Sequence, residues 1–461
     1  MPVSIVVNEP ESRVTIMERR SGALAFPTVN DALEYTRDKL PDYDEIVFGT
    51  GSYHFRSGVR FDRSVRIKLR TGAVLLPSEQ AIGLFSFEAD DCTVEGPGII
   101  LCERFIADQS VIKSTGDRTI VRDLCFDVTA PASAGERPMR LLHFFGGSTR
   151  SVTGNTFLPN RGVVCISAER GKALTVSSNR FTNSMTTETT TEGHVQRPCH
   201  RCIELVHEGW AQIQGNRAES LGWPETDPVD AFLDYRYDKR LHVMNSESGH
   251  IQVTGNYIED LAAATYVRLR GCAWFQITGN TLANTLTETA AEGEGAIIIE
   301  AAEGGVEGRP SNDGLIGSNQ LHNLARPNSG GVFVLVRSCV RLSVLANQFA
   351  TCMSENALSV YPDDAPYLSI IGNTFEGYQS PAWNISPRSA IHLYPGSNAR
   401  MVIGSNAVSL FYAKSGDSPL IANASTVSGK LFDRGLMNRK TGKKPDGSTK
   451  VKDLTTNVWY D

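Results

Sequence analysis

No apolar run in this chain approaches the roughly 18 residues that a helix needs to cross a bilayer. A helical membrane anchor is therefore not expected. Positive charge is not in excess either: 45 Lys and Arg stand against 51 Asp and Glu, a formal net charge of −6. That excludes a generally basic, nucleic-acid-binding surface, so an acidic polymer would need a locally basic groove. The opening stretch MPVSIVVNEPESRV lacks a cationic start, a long apolar core and a small-residue cleavage site, and no signal peptide is expected. P-loop, dinucleotide and nucleophile-elbow patterns are missing as well, so no cofactor is expected. Aromatics are sparse at 8%, while 41 Gly suit many turns and short strands. The nine Cys, an odd number scattered from Cys92 to Cys352, do not read as a disulfide frame. Reduced, mostly buried thiols are expected, with a cytoplasmic compartment as the default.

What is present is a repeat. Asn returns in one local setting, as in SVTGNTF, TVSSNRF, QITGNTL and SIIGNTF. The series is Asn155, Asn179, Asn216, Asn256, Asn280, Asn319, Asn347, Asn373 and Asn406, each after a short apolar-alternating strand and usually after Gly or Ser. A repeat of this kind sets the architecture, because a solenoid grows by adding units around one continuous core. The spacings are 24, 37, 40, 24, 39, 28, 26 and 33. The shortest fits one coil of a right-handed, single-stranded parallel β-helix. The longer ones place loops on particular coils, where binding and catalysis concentrate. At a corner an Asn tolerates left-handed geometry, and its amide can bond the same amide one coil away, so the series reads as a structural ladder.

The expected class is all-β. Residues 1–45 form a lead-in and capping helix, 46–420 the parallel β-helix, and 421–461 a non-repeat C-terminal extension rich in Lys and Arg. In the first segment TVNDALEYTRDKL reads as a helix. Thr28 is its N-cap, Asp31 sits in the capping-box position, and Pro41 stops it. Such a helix would cover the open, unpaired end of the coils. Strands such as GVVCIS, RCIELVH, GAIIIE and VFVLVR are expected to bury one face and leave the other to solvent.

The N-terminal helix, the Gly51-Ser52-Tyr53 segment and the repeated V-x-G-N coils resemble the pectate-lyase-like β-helix superfamily, over roughly residues 26–420. That group includes polysaccharide lyases, polygalacturonase-type hydrolases, uronate epimerases and phage tailspike depolymerases. The resemblance implies a long carbohydrate lying along the stacked strands, and trimers are common in such families, which makes a homotrimer an expectation. Release by a signal-less route or on a phage particle would fit the same sequence. Asp227-Pro228-Val229-Asp230 resembles the D-P-H-D motif of mannuronan epimerases, but Val229 replaces the His, which speaks against epimerisation. Cys202-Ile203-Glu204-Leu205, with Trp210 and Gln212, resembles a catalytic rung of inulin fructotransferases. The paired Asp of polygalacturonases and the basic signature of pectate lyases are not identifiable.

Counting back from each Asn serves as a ruler. Glu204 and Arg268 share the position twelve residues before their Asn, as do His143, Leu335, Tyr361 and Tyr394, and Ser167 reads as offset by one. Such a column suits a sugar groove, because carboxylates handle protons, Arg pairs with acidic or hydroxyl groups, and rings stack on sugars. Glycoside cleavage needs two carboxylates. Glu204 is the first choice, with Asp227, Asp230 or Asp234 as partner, His207 as a further proton-transfer candidate, and Trp210, Trp223, Arg236 and Arg270 as binding groups. For a lyase, Arg268, Arg270 or Arg337 would neutralise a uronate, and His207 or Tyr235 would take the proton. Cys199-His200-Arg201-Cys202 lacks the second pair of a zinc site, so no metal is expected. The leading expectation is an enzyme that cleaves glycosidic bonds of a polysaccharide on the outer face. A uronate lyase, a fructan-acting transferase and a non-catalytic binding or spike protein are the alternatives. The expected partner is an oligo- or polysaccharide, not nucleic acid or membrane.

Overall fold

A computed structural model describes residues 3–7, 13–17, 23–26, 28–39, 45–77, 83–130, 137–160, 162–182, 201–221, 231–237, 249–261, 265–284, 295–302, 310–324, 332–352, 356–361, 367–377, 389–393, 400–409, 421–423, 451–453 and 458–460. The chain forms two compact units, Met1–Leu221 and Gly222–Asp461.

In the first unit, Val3–Val7 and Arg13–Met17 pair antiparallel, and the latter pairs antiparallel with Glu45–Phe48. The Val29–Lys39 helix lies between these elements in sequence. Its cap is reciprocal: the Asp31 N–H donates to Thr28 Oγ1 at 3.2 Å, and the Thr28 hydroxyl donates to the Asp31 carboxylate at 2.6 Å. Asn30 fastens the helix to the first coil, donating to the Ser57 carbonyl at 2.8 Å and accepting from the Arg56 N–H at 2.7 Å.

From Glu45 onward the strands of this unit's coils pair in parallel, each with the third strand along. Glu45–Phe48 pairs with Arg66–Leu69, Gly51–Phe55 with Ala73–Pro77, and Val59–Phe61 with Phe85–Phe87. A parallel pair needs a long crossover, and here the crossover is the rest of the coil. The result is three parallel sheets around an apolar core. Residues stack on their counterparts: Phe126, Phe157 and Phe181 are in register, with successive ring centroids 5.1 and 5.0 Å apart. Each such burial stabilises by about 1.5–3 kcal/mol.

The second unit repeats the scheme. Ala231–Arg236 pairs with Val267–Arg270, His250–Thr254 with Trp274–Thr278, and Tyr257–Leu261 with Thr281–Ala283, all in parallel. Ile421–Asn423 still pairs in parallel with Ser389–Leu393. Farther on, Val451–Asp453 and Val458–Tyr460 form an antiparallel pair.

The Asn ladder is internal to both units. In the first, Asn155 Nδ2 donates to Asn179 Oδ1 and Asn179 Nδ2 to Asn216 Oδ1, each at 3.0 Å. In the second, the chain of amides runs Asn256, Asn280, Asn319, Asn347, Asn373, Asn406 at 2.9–3.0 Å. All nine Asn are buried. One expectation is corrected: the left-handed residue is not the Asn but the one before it. Gly154, Gly215, Gly255, Gly279 and Gly372 have φ of 61–69°, and Ser178, Ser318, Ala346 and Ser405 have φ of 53–57°. This explains why Gly or Ser precedes the ladder Asn: a residue without a bulky Cβ substituent takes the corner.

Asn280→Ala removes five side-chain hydrogen bonds at once, one of them the Nδ2 donation to the Thr278 carbonyl at 3.2 Å. Nδ2 donates to Asn319 Oδ1 and to the Val253 carbonyl, and Oδ1 accepts from the N–H and the amide of Asn256. The buried Asn256 N–H is left without this acceptor, a group whose desolvation costs about 1–3 kcal/mol. The expected outcome is a lower urea midpoint for Asn280→Ala, by about 2–3 kcal/mol after multiplication by the m-value.

Among the described residues eight cysteines are free thiols, all buried except the half-buried Cys125. Burial pushes the thiols of Cys102 and Cys339 up to about 12, and those of Cys92 and Cys125 to about 11. They remain protonated and inert at neutral pH. Among the described residues no helix is long and apolar enough to cross a membrane.

Candidate active site

The third strand of several coils departs from the expected half-solvated pattern, while others, such as Met139–Phe145 and Val267–Arg270, keep partly exposed outward positions. Val163–Glu169 and Arg201–Val206, in the first unit, are buried on both faces along nearly their whole length. Gly295–Glu300, Val332–Val336 and Asn356–Val360, in the second, are the same. Charged groups at outward positions of these strands are therefore shielded, and shielded ionisable clusters are where proton chemistry concentrates.

In the first unit, Lys113, His143, Ser167 and Glu204 stand in one register column on consecutive strands. Ser167 thus belongs to the column itself, not one residue away from it. Glu204 is 5% exposed. It accepts a hydrogen bond from Arg201 Nη1 at 2.5 Å and from the Ser167 hydroxyl at 3.2 Å, and Arg140 Nε lies 4.0 Å away.

Two coils from Glu204, His143 bridges two partners. Its Nε2 is 3.3 Å from Glu169 Oε1, and its Nδ1 is 3.2 Å from Ser110 Oγ. A carboxylate can only accept, so Nε2 donates to Glu169, and Nδ1 faces the Ser110 hydroxyl. The hydrogen bond from His143 holds the Glu169 carboxyl below the usual carboxylate range. The nearby charges of His143, Arg140 and Arg170 act the same way, while burial opposes them. The Arg170 guanidinium in turn lies 4.9 Å over the Phe145 ring.

Glu169 follows Ser167 by two residues on one strand, so it shares that outer face. With strands about 4.8 Å apart and a rise of about 3.3 Å per residue, the Cα positions of Glu169 and Glu204 are about 8 Å apart. Two carboxylates, two guanidiniums and an imidazole thus meet on one face. Such a set can hold a negative charge, move a proton and grip hydroxyl or carboxylate groups.

The other expected site residues separate from this group. His207 is fully buried at a left-handed corner with φ 54°, beyond the end of the Glu204 strand. Trp210 opens the next strand, Trp210–Gln214, which belongs to a different sheet and pairs with Ala173–Ser177. In the second unit, Asp234 is 2% exposed and accepts from Arg270 Nη2 at 2.6 and 2.7 Å. Asp234 and Arg268 are register partners, as are Arg236 and Arg270. Arg268 is half-buried and Arg236 is exposed. Tyr235 is fully buried with its hydroxyl beside Gly249, which removes it as a surface base. Arg337 is bound to Glu300 at 2.6 Å.

The column through Arg268 continues with Ile298, Leu335, Ser359 and His392. Tyr361 is therefore not in it. It follows Ser359 by two residues and packs on Ile298, Val332 and Leu335. Tyr394, Trp223, Asp227 and Asp230 lie outside the described residues. Among the described residues no group of three or more His, Cys, Asp or Glu is placed to hold a metal ion.

No family model matches this chain, and no curated protein matches it. Solved structures are similar, among them the following three. A mutant tailspike protein of E. coli bacteriophage HK620 has a TM-score of 0.49 at 13% identity, over 87% of this chain and 75% of that one. The periplasmic alginate epimerase AlgG, as a mutant, has a TM-score of 0.46 at 9% identity, over 89% of each chain. A PL6 alginate lyase complex with trisaccharide has a TM-score of 0.42 at 11% identity, over 93% and 88%. The chain is a parallel β-helix. That statement rests on its own strand pairing and ladder, and the assignment of chemistry rests on the side chains alone.

Proposed function

We propose that this β-helix cleaves glycosidic bonds of a polysaccharide bound on the outer face of the Met139–Phe145, Val163–Glu169 and Arg201–Val206 strands. The observation that supports this most is the pairing of Glu204 with the His143–Glu169 unit on one face, within about 8 Å at the Cα level. Glycoside cleavage works with a charged group that supports the sugar centre and an acid that protonates the leaving oxygen. Glu204, fed by Arg201 and Ser167, is the charged carboxylate that stabilises or attacks the developing oxocarbenium centre. In its doubly protonated form His143, oriented by Glu169 through Nε2, gives the Nδ1 proton to the leaving oxygen and recovers one from the attacking water. Arg140 and Arg201 would favour an anionic or densely hydroxylated sugar.

The test is a panel of neutral and uronate-containing polysaccharides incubated with the full chain. Reducing ends and the ultraviolet absorbance of an unsaturated product are followed together. This reading predicts new reducing ends without the absorbance. Both signals together would mean elimination by a lyase, with His143 as base. Neither signal on a polymer that binds would overturn the enzymatic reading.

A further inference from the structure

The His143–Glu169 unit has a third member that glycosidic cleavage does not use. Ser110 Oγ sits 3.2 Å from His143 Nδ1, and His143 Nε2 sits 3.3 Å from Glu169 Oε1, giving an unbroken hydroxyl–imidazole–carboxylate relay across three consecutive coils. The order of parts is that of an activated serine nucleophile, in which a base takes the hydroxyl proton and a carboxylate fixes the base. The two ring nitrogens exchange their usual places, which leaves the proton transfer chemically equivalent, since either nitrogen can hold the proton.

Two independent features accompany the relay. Ser110 opens onto a recess lined by Pro77, Ile106, Val111, Met139 and Arg104. It is small and mainly apolar, so among acyl groups it would take only the smallest, such as acetyl. Arg140, the register partner of Ser110, has a solvent-shielded Nε–H with no hydrogen-bond partner. Arg140 thus brings a shielded cation to the strand next to Ser110, and a fixed positive charge of that kind can stabilise a developing oxyanion.

We propose that Ser110, His143 and Glu169 form a second catalytic centre that hydrolyses short-chain O-acyl esters, such as those carried by an acylated sugar. Ser110 Oγ bonds to the ester carbonyl carbon while its proton passes to His143, and the tetrahedral oxyanion faces Arg140. The C–O bond to the alcohol then breaks, and the alcohol leaves with the proton from His143. Water, deprotonated by His143, attacks the acyl-serine. The carboxylic acid departs and Ser110 recovers its proton. The sum is ester plus water to acid plus alcohol, with no co-reactant.

This inference shares His143 and Glu169 with the glycosidic reading but does not depend on it, because its readouts involve no glycosidic bond. The full chain is treated with p-nitrophenyl acetate and, separately, with a fluorophosphonate probe, followed by peptide mass mapping. The expected result is ester turnover and probe mass on the peptide that contains Ser110. Ser110→Ala and His143→Gln should each lower turnover by about 10²–10⁴-fold with an unchanged circular dichroism spectrum. Absence of the label from Ser110 in the unaltered chain, or turnover that survives Ser110→Ala, would overturn it.

Discussion

Glu208→Ala is expected to destabilise the Met1–Leu221 unit by about 3–5 kcal/mol, the usual cost of stripping one partner from a buried ion pair. Arg150 and Glu208 are 1% and 0% exposed. Glu208 accepts from both terminal nitrogens of Arg150 and from the Gly171 N–H at 3.0 Å, while Arg150 also donates to the Ala173 carbonyl at 3.3 Å. The pair reaches across the coil between them. That coil carries Gly171 where a Cβ would fall 1.7 Å from a guanidinium nitrogen. Removing Glu208 leaves a buried, charged guanidinium without its carboxylate partner. Replacing both partners with apolar residues of similar volume, as in Arg150→Met with Glu208→Leu, should cost far less, because no orphan charge remains. Urea denaturation of the three proteins checks both statements. Equal losses for the single and the double variant would contradict the reading of Glu208 as charge compensation.

Glu204→Gln is the second large effect, this time on rate. The amide keeps the shape of the side chain and can still accept from Ser167, but it no longer carries the charge that Arg201 and Arg140 surround. If Glu204 stabilises positive charge in the transition state, kcat should fall by about 10²–10³-fold, the range seen when one preorganised electrostatic contact is lost. KM should move little, since ground-state sugar contacts persist. Glu169→Gln should act differently. The amide oxygen can still accept from His143, but the charge that stabilises its protonated form is gone, so proton transfer weakens and the loss should be greatest for substrates with poor leaving groups.

Much of the fold was legible because the ladder Asn is both a chemical and a positional marker. Its amide hydrogen bonds demand one Asn per coil, and the left-handed corner before it demands Gly or a small residue, so nine coils announce themselves. The same marker serves well as a ruler where strand and Asn are separated by a constant turn, and it brings His143 and Glu204 to one column. It fails at Tyr361 because the Asn356–Val360 strand stands two residues farther from its Asn. A shift of two keeps the side chain on the same face but on a different rung, so Ser359 takes the place beside Leu335.

Glu169 was missed for a related reason. A ruler fixed on one position does not look two residues along the strand, although simple alternation from Ser167 would have reached it. The burial of the third strands on both faces was written in the near-continuous apolar runs of VVCI, AIII and VFVLV, the pattern of strands covered on both sides. Arg150 and Glu208, 58 residues apart, carried no local signal at all. Their pairing follows from coil stacking, which the spacing of the ladder only bounds.

The most direct measurement is a paired one on Glu204→Gln: binding of a cleaved polysaccharide, and release of reducing ends from it, at equal protein concentration. The account predicts that binding stays within a few-fold of the unaltered chain, while product formation drops by about 10²–10³-fold. Product release at the unaltered rate would show that the outer-face cluster around Glu204 is not where the bond is broken.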